Sequence, residues 1–328
     1  MVAQPPVVFA IGASRTFGMT IANQLGIELG LHEEREFEDG EHKVRPLINV
    51  RNRNVFVVHS LYSDLHQSTN DKLIRLIFLT GALKDASASR VTLVIPYLAY
   101  ARKDRRSQPR DPVSIRYVAQ MLEAVGADHV VTIDVHNLAA YQNAFRIPAD
   151  HLDSVRVFVE YLVATRDSDA LAILSPDIGG VKRAEHFRDA LERATGQVIP
   201  LGFMEKARAK GVLTPGRVTG DVTGRAVIIF DDMISTGGTL AHAAAASKSL
   251  GAKRVLAAAT HGLFTSRAND ALSTHDIDQV IVTDSVPAGR LDPQLAAAKL
   301  TVLPLARLFA ETIKRLHSGG SLVELLDV

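Results

Sequence analysis

Short apolar runs recur along the chain and alternate with longer segments in which apolar residues follow a helical spacing. The runs are too short for helices and predict buried strands. They lie at Val7–Ile11, Asn54–His59, Val91–Tyr97, His129–Val135, Leu171–Leu174, Val227–Phe230, Arg254–Thr260, Gln279–Thr283 and Thr301–Leu305. Helical segments include Asn70–Lys84, Pro112–Val125, Ser154–Thr165, Val181–Thr195 and Thr239–Leu250. This alternation predicts an α/β protein with mainly parallel sheets flanked by helices.

The length of the chain and a faint internal repeat predict two domains. A chain of 328 residues suits two domains of about 150 residues each. The segments that start at Asn54 and Ala226 both have the order strand, loop, helix and strand. We expect an N-terminal domain over residues 1–148, which the C-terminal segment 308–328 joins, and a second domain over residues 149–307.

Composition narrows the class of protein further. The net charge of +1 argues against broad electrostatic binding to nucleic acid or to a membrane surface. The absence of cysteine removes disulfides, thiolate zinc sites and cysteine nucleophiles. No apolar run approaches the roughly 18 residues of a membrane span, and the first residues do not have the pattern of a signal peptide. We therefore expect a cytoplasmic protein without nucleic-acid or membrane partners.

The stretch Ala226–Leu240, with sequence AVIIFDDMISTGGTL, carries the densest candidate chemistry. Asp231 and Asp232 are predicted where the buried strand leaves the sheet. The following residues Ser235-Thr236-Gly237-Gly238-Thr239 open a helix, and offer amides, hydroxyls and the positive end of the helix dipole to a phosphate. The two carboxylates suit Mg²⁺ or a sugar diol. A simple turn without a catalytic role stays open, and the pattern GxxxxGK[ST] of P-loop proteins is absent.

Two further segments predict contacts to a nucleotide. On an extended hairpin, Phe37, Asp39 and Glu41 would share one face, where a ring and two acceptors suit an adenine; an acidic turn is the alternative. The basic segment Tyr97–Arg110 contains Arg102 and Lys103 and follows a strand. We expect Pro112 at the first helical position after it, and arginines there would bind polyphosphate oxygens bidentately. A solvated loop is the alternative.

Single polar residues after two other strands are candidate metal ligands. His136 and Asp134, two residues apart, would point to one face at the end of their strand. Magnesium prefers oxygen, so a histidine ligand would be atypical, and a structural histidine stays open. Asp177 follows another strand and precedes the glycines of a turn, which is either a ligand position or an ordinary strand-to-helix turn.

The segment Gly202–Thr219 contains Lys206 and Arg208 and follows no regular period. A long basic loop that comes just before the Ala226 strand is typical of a lid that closes over an anionic substrate. A solvated basic hairpin is the alternative interpretation.

Five strings in this order resemble the ribose-phosphate pyrophosphokinases, namely FEDGE, IPYLAYARKDRR, DVHN, LSPDIGGVKRA and DDMISTGGT. The resemblance implies two tandem type I phosphoribosyltransferase-like, Rossmann-like domains. It also implies an enzyme that transfers the pyrophosphoryl group of ATP to the 1-hydroxyl of ribose 5-phosphate, with Mg²⁺ as cofactor. The products would be phosphoribosyl pyrophosphate (PRPP) and AMP.

The resemblance also implies a role for each motif residue. The ATP-binding residues would be Phe37, Asp39 and Glu41, which contact the adenine from a neighbouring subunit, together with Arg102 and Lys103. The remaining roles would fall to Lys206 and Arg208 in catalysis, His136 and Asp177 in metal binding, Asp231 and Asp232 at the ribose hydroxyls, and Ser235, Thr236, Gly237, Gly238 and Thr239 at the 5-phosphate. The protein would be a homo-oligomer, a dimer or a hexamer. Lys103 replaces the usual Gln of the family, and Ser235 replaces an Asp found in many bacterial members.

Two other functions share parts of this pattern. A phosphoribosyltransferase that consumes PRPP would share the DDMISTGGT loop, but it would need neither the FEDGE segment nor the basic segment around Arg102. A non-catalytic regulatory relative of PRPP synthetase would bind both substrates without turnover, although such proteins usually lack some of the motifs present here.

Overall fold

The computed structural model describes residues 4–165, 169–205, 208–209, 212–213, 217–265 and 267–326, with backbone only at 208–209, 212–213 and 326. The strands are β1 Val7–Ala10, β2 His32–Glu36, β3 His42–Pro46, β4 Asn54–Val58, β5 Arg90–Ile95, β6 His129–Ile133, β7 Ala149–Leu152, β8 Leu171–Ser175, β9 Leu201–Glu205, β10 Arg208–Ala209, β11 Val212–Leu213, β12 Arg217–Thr219, β13 Ala226–Ile234, β14 Arg254–Gly262, β15 Gln279–Thr283 and β16 Leu300–Leu303. The α-helices are α1 Arg15–Leu25, α2 Thr69–Asp85, α3 Ser114–Ala124, α4 Leu138–Ala144, α5 Val155–Ala164, α6 Val181–Thr195, α7 Gly238–Ser249, α8 Ala268–Leu272, α9 Pro293–Lys299, α10 Ala306–Ser318 and α11 Val323–Leu326. Two short 3₁₀ helices lie at Gly12–Ser14 and Ile178–Gly180.

The chain divides into two compact units. Among the described residues, the first unit contains residues 4–153 and 305–326, and the second contains those from Ser154 to Pro304. The apolar face of α10 packs against α1 in the first unit, where the rings of Phe17 and Phe309 meet edge to face at 5.7 Å. None of the helices in the described ranges is both long enough and apolar enough to cross a membrane.

A parallel sheet in the order β1-β4-β5-β6-β7 forms the centre of the first unit. Strands β1, β4, β5 and β6 are buried and mostly apolar, as expected for strands that are covered on both faces, whereas the edge strand β7 is only partly buried. Helix α2 begins with a capping box in which Ser68 and Asp71 each accept from the other's backbone N–H. This arrangement pairs N–H groups that the first turn leaves open. Strands β2 and β3 form a separate antiparallel hairpin.

The second unit has a sheet in the order β12-β9-β8-β13-β14-β15-β16, parallel except for β12 beside β9. Alternate residues of β13 face opposite layers of the unit. Val227 and Ile229 join the cluster that contains residues of α7, whereas Phe230 packs against Phe158 and Phe187 of α5 and α6. Helices therefore cover both faces of this sheet, and the predicted α/β class is confirmed.

The two units share one strand order. The first sheet has the order β1-β4-β5-β6-β7. The same arrangement recurs in the second sheet as β8-β13-β14-β15-β16. A short 3₁₀ helix follows the first strand of each series, at Gly12–Ser14 and at Ile178–Gly180. The repeat that starts at Asn54 and Ala226 in the sequence thus corresponds to a repeated topology.

The structure corrects several predicted boundaries. Strand β13 does not end at Phe230 but continues through both aspartates to Ile234, because β14 pairs with it over that length. Helix α3 starts at Ser114, so Pro112 precedes the helix and is not its first residue. The predicted irregular segment 202–219 begins and ends in strands, since β9 pairs with β12 and β10 pairs with β11.

Candidate active site

The candidate acceptor site lies at the carboxyl ends of β8 and β13 in the second unit. These two strands are parallel neighbours, so residues that follow β8 lie beside the end of β13. Asp177 follows β8, and Asp231 and Asp232 lie in the second half of β13. Ligands of open α/β sheets bind at this edge.

One guanidinium holds both carboxylates of β13. Nη1 of Arg183, in the first turn of α6, lies 3.0 Å from Oδ1 of Asp231 and 3.1 Å from Oδ1 of Asp232. Burial raises the pKa of Asp231, and the Asp232 carboxylate raises that pKa further, while Arg183 opposes both. Once Asp231 has lost its proton, two carboxylates fixed in this way would accept hydrogen bonds from neighbouring hydroxyls of a sugar.

The loop from Ser235 to Thr239 joins β13 to α7 with the chain direction sharply reversed. Gly237 has a left-handed backbone with φ of 74° and is the N-cap residue of α7. A Cβ at this position would lie 3.1 Å from the Cβ of Ala271, so both the backbone conformation and the limited space favour glycine. The backbone N–H of Thr265 donates to the Ser235 carbonyl at 2.9 Å and fixes the loop from outside. A glycine N-cap has no side chain to accept from the first amides of α7, which leaves them to an anion.

Asp177 follows β8 and is the N-cap residue of the 3₁₀ helix Ile178–Gly180. Its Oδ1 accepts from the Gly180 backbone N–H at 3.1 Å, and its own carbonyl accepts from Ser175 Oγ at 2.7 Å. The carboxylate is therefore held in one orientation by its own turn. The structure thus brings the predicted residues of the 5-phosphate site, the carboxylate pair and Asp177 to one edge of one sheet.

The FEDGE residues do not share one face of a strand as predicted. They form the connection between β2 and β3, and Asp39 lies in its turn. The Phe37 N–H donates to the Glu41 carbonyl at 2.8 Å, and Gly40 has φ of 89°. The guanidinium of Arg35 lies 5.0 Å from the centre of the Phe37 ring. The turn breaks the period-two alternation, but it exposes the ring and both carboxylates at the hairpin tip.

The basic segment after β5 is organised around Asp111, which the sequence prediction did not include. Asp111 Oδ2 accepts from Lys103 Nζ at 2.6 Å and from the Ser107 and Gln108 backbone N–H groups at 3.0 and 2.9 Å. These donors hold the pKa of the Asp111 carboxyl well below its usual range. Lys103 is thus engaged within its own segment, whereas Arg102 is exposed. Whether Lys103 contacts ATP stays a prediction.

His136 lies beyond β6, which ends at Ile133. Asp134 has a positive φ of 44°, so the period-two argument that placed His136 and Asp134 on one face does not apply. His136 is exposed, and its neighbour Asn137 donates from Nδ2 to Asp104 Oδ2 at 2.6 Å. That hydrogen bond joins the segment of His136 to the segment of Arg102.

The structure gives little evidence for the predicted metal ligands and for the predicted lid residues. Across the described ranges, no group of three or more His, Asp or Glu side chains is arranged to hold a metal ion. Lys206 and the side chain of Arg208 lie outside the described residues, although the backbone of Arg208 belongs to β10. Their predicted catalytic role stays a prediction.

Sequence reasoning missed Arg183, although this residue stands within the string LSPDIGGVKRA. A basic residue in the first turn of a helix opposes the helix dipole, and that unusual placement is the signal that could have drawn attention to it. Its partners lie 48 and 49 positions along the chain, so their pairing follows from the sheet order and not from local pattern.

Two parallel α/β units, one of which joins a carboxylate pair to a glycine-rich helix start, define a protein class that binds sugar phosphates or nucleotides. A family model described as the N-terminal domain of ribose phosphate pyrophosphokinase matches residues 6–126. A second model, the phosphoribosyl synthetase-associated domain, matches residues 182–327. The chain belongs to the ribose-phosphate pyrophosphokinase family, which confirms the family predicted from its motifs.

Individual relatives are similar to this protein over nearly the whole length of its chain. The ribose-phosphate pyrophosphokinase of Chromobacterium violaceum is 39% identical over 327 residues, which cover 98% of this chain and 94% of that protein. The enzyme of the same name from Vibrio parahaemolyticus is 40% identical, with coverages of 96% and 97%. The crystal structure of phosphoribosylpyrophosphate synthetase from Mycobacterium smegmatis is similar with a TM-score of 0.86 at 34% identity, over 97% of this chain and all of that one. The predicted two-domain fold is thereby confirmed.

Proposed function

We propose that this protein is a ribose-phosphate diphosphokinase, which transfers the pyrophosphoryl group of ATP to the 1-hydroxyl of ribose 5-phosphate and releases AMP. The observation that carries the proposal is the end of β13, where two carboxylates on a strand are followed by a left-handed glycine and an open helix start. Such a site suits a molecule with a phosphate at one end and hydroxyls beside it. Family membership supports the same substrate.

The acceptor would be held by the second unit. The amides and hydroxyls of the loop from Ser235 to Thr239 would bind the 5-phosphate, at the positive end of the α7 dipole. The ionised carboxylates of Asp231 and Asp232 would accept from the ribose hydroxyls. Arg183 would favour the ionised form of the two acids, but burial and Asp232 outweigh its charge and leave the pKa of Asp231 raised. The acceptor would thus be fixed at both ends.

The donor would be bound by the first unit. Arg102 is exposed and would meet the phosphates of ATP, while Phe37, Asp39 and Glu41 would contact the adenine from a neighbouring subunit. The exposed tip of the β2–β3 hairpin supports a role in contacts outside its own unit. An ATP site shared in this way requires a homo-oligomer, which we propose as a dimer or a hexamer in the cytoplasm.

The described residues offer few ligands for Mg²⁺, and this is compatible with how proteins bind the ion. Mg²⁺ is commonly held by one or two protein carboxylates together with substrate phosphates and water, so a site without three protein ligands is compatible with it. The oriented carboxylate of Asp177 suits the ion well, and the exposed His136 is the second candidate of the sequence analysis. Mg²⁺ would neutralise charge on the phosphates of ATP.

Transfer itself requires positioning and positive charge more than covalent chemistry from the protein. Lys206 and Arg208 would supply donors to the oxygens on which charge develops at the β-phosphorus. The 1-hydroxyl would attack that phosphorus, the bond to the α-phosphate oxygen would break, and AMP would leave. We assign no general base among the described residues.

An AMP-release assay tests this proposal. The purified protein is incubated with ATP, ribose 5-phosphate and Mg²⁺, and we expect AMP that appears only when ribose 5-phosphate is present. A control reaction contains PRPP and free purine or pyrimidine bases. Release of pyrophosphate in the control, with no AMP in the main reaction, would instead assign a PRPP-consuming transferase.

A further inference from the structure

The first unit has a position that corresponds in topology to the acceptor site of the second unit, and a side chain of the first unit occupies it. Strand β1 and the 3₁₀ helix Gly12–Ser14 correspond in topology to β8 and the 3₁₀ helix Ile178–Gly180, and β4 corresponds to β13. In the second unit, this edge of the sheet carries the candidate acceptor site. In the first unit, the carboxylate of Glu34 occupies it.

Glu34 belongs to β2, the first strand of the hairpin that carries the FEDGE tip. Its Oε1 accepts from the Gly12 backbone N–H at 2.9 Å and from His32 Nε2 at 3.0 Å. Burial alone would raise the pKa of Glu34, but the donors His32 and Gly12 together bring that pKa below its usual value. The hairpin therefore inserts an ionised carboxylate at the start of the first 3₁₀ helix.

Arg75 of α2 contacts two glutamates of the same strand. It is only 5% exposed, and it reaches Oε2 of Glu34 at 3.8 Å and Oε1 of Glu36 at 3.3 Å. The second buried cation of α2, Lys72, pairs with Asp64 at 2.6 Å. Because Lys72 has its own carboxylate, Arg75 is the cation of α2 that serves the hairpin.

Glu36 connects this anchor directly to the tip. It is the last residue of β2, and the next residue, Phe37, starts the tip with its N–H donating to the Glu41 carbonyl. On the return strand, the His42 ring stacks on Phe78 of α2 with centroids 5.2 Å apart. Helix α2 therefore contacts both strands on either side of the tip.

We propose that Arg75 and Glu34 are positioning residues that fix the β2–β3 hairpin, and with it the tip from Phe37 to Glu41, for the adenine of ATP. This inference rests on the proposed function. In the first unit, the position that corresponds to the acceptor site thus anchors the hairpin whose tip would contact ATP. Arg75 touches no substrate in this arrangement and acts through the two glutamates.

Arg75→Met and Lys84→Met form a matched pair of variants to test the proposal. Lys84 lies in the last turn of α2, and its ion pair with Asp128 at 2.9 Å involves no residue of the hairpin. We expect Arg75→Met to raise the KM for ATP about tenfold, the size of effect that one lost charged contact gives. The KM for ribose 5-phosphate and the kcat at saturating ATP should stay within about twofold of wild type. Lys84→Met should leave all three unchanged, and Arg75→Lys should recover part of the ATP affinity.

Hydrogen exchange gives a readout that does not depend on turnover. In Arg75→Met, the backbone amides of residues 32–46 should exchange at least about tenfold faster, whereas in Lys84→Met they should exchange as in wild type. Glu36→Gln provides a second variant that is expected to fold, because this side chain is largely exposed. It should show a smaller change in the same direction in both measurements.

The outcome of these experiments separates a failure of the proposed function from a failure of the positioning role. If wild-type protein releases no AMP, the proposed function fails, and hydrogen exchange still decides whether Arg75 fixes the hairpin. If wild type is active and folded Arg75→Met keeps the wild-type KM for ATP, the positioning role is wrong. The same conclusion follows if exchange in residues 32–46 is unchanged.

Discussion

At the scale of single residues, the charge balance of the acceptor site depends on Arg183. Its guanidinium is within 3.1 Å of both carboxylates of β13, and the pKa of Asp231 is raised by burial and by Asp232. An ionised carboxylate accepts stronger hydrogen bonds from the hydroxyl groups of a sugar than a protonated carboxyl group does. The affinity for the sugar phosphate should therefore increase with pH as Asp231 loses its proton.

Replacing Arg183 with Met should move this increase to higher pH. Loss of the guanidinium removes the charge that lowers the pKa of Asp231, so the proton is held more tightly. Calorimetric titration with ribose 5-phosphate between pH 6 and pH 9 measures the shift, and Lys182→Met removes a neighbouring exposed charge as control. A pH dependence of affinity that is the same in Arg183→Met and in wild type would show that Arg183 does not set the ionisation of the pair.

A buried histidine in the first unit makes stability depend on pH. His59 is fully buried, with Nδ1 3.2 Å from Ser14 Oγ, and burial together with the charge of Lys72 lowers the pKa of His59 to about 3. The folded protein keeps this ring neutral, while the unfolded chain takes up a proton below its ordinary pKa of about 6.5. Stability from this group is therefore complete above about pH 6.5 and decreases as the pH falls toward 3.

His59→Asn should remove this part of the pH dependence. Between pH 6.5 and pH 5, wild type should lose about 1.5 kcal/mol more of its free energy of unfolding than the variant, in proportion to the shift. Urea denaturation at the two pH values measures the difference, and His66→Asn, at an exposed histidine, serves as control. Equal losses in wild type and His59→Asn would contradict a neutral buried ring.

At the scale of elements, the site is formed by one strand and one helix that meet at Gly237. Strand β13 carries the acids to the edge of the sheet, and α7 directs its first amides at the same point. The apolar run of β13 was recognised in the sequence, but its last residues were not, because two aspartates interrupt the run and only pairing with β14 keeps them in the sheet. The strand boundary is thus a property of the neighbouring strand.

Gly237→Ala should damage both the fold and the acceptor site. A left-handed non-glycine residue costs about 1–2 kcal/mol, and the new Cβ would lie 3.1 Å from that of Ala271. We expect a lower Tm and a higher KM for ribose 5-phosphate. The control is Gly289→Ala, where an added Cβ has no neighbour within 4 Å; a Gly237 variant with the Tm and KM of this control would rule out the strained junction.

Local patterns predicted the long helices and most of the apolar strands, and the FEDGE segment was placed on a hairpin, but the bounds of the polar strands were not predicted. Strands β2 and β3 consist largely of charged residues, so no alternation of apolar and polar positions marks them. The motif residues of the acceptor site were found because a glycine-rich turn after a buried strand has a recognisable sequence. The contacts of Arg183, Arg75 and Asp111 join segments or loop positions that sequence spacing does not bring together, so they required coordinates.

At the scale of the whole molecule, the two units share one strand order but differ at the edge of the sheet where ligands of such folds bind. The second unit leaves the edge of its sheet open around a left-handed glycine, while the first fills the same place with Glu34 and anchors a hairpin there. The exposed hairpin tip then becomes available to contact a neighbouring subunit. The proposed reaction depends on that division, with the acceptor on one unit and the donor on the other.

Mixing two inactive variants tests the shared ATP site. Phe37→Ala damages the hairpin tip and Arg102→Ala damages the phosphate contact, so each alone should have little activity. After subunits are exchanged in an equal mixture, about a quarter of the sites would combine an intact tip with an intact Arg102 in a symmetric oligomer. Activity should therefore exceed that of either variant.

The control for this mixing experiment is Phe37→Ala mixed with the Phe37→Ala, Arg102→Ala double variant, which cannot form an intact site. An equal mixture of the single variants that is no more active than their average would place both groups in the same subunit's site.

The central claim is that a pyrophosphoryl group moves intact from ATP to the sugar phosphate, and isotopic labelling tests it most directly. The protein is supplied with ATP labelled at the β-phosphorus, ribose 5-phosphate and Mg²⁺, and the products are separated. The account predicts unlabelled AMP and an equal amount of labelled PRPP. Labelled ADP, or label that stays with the adenine nucleotide while the sugar phosphate is consumed, would contradict it.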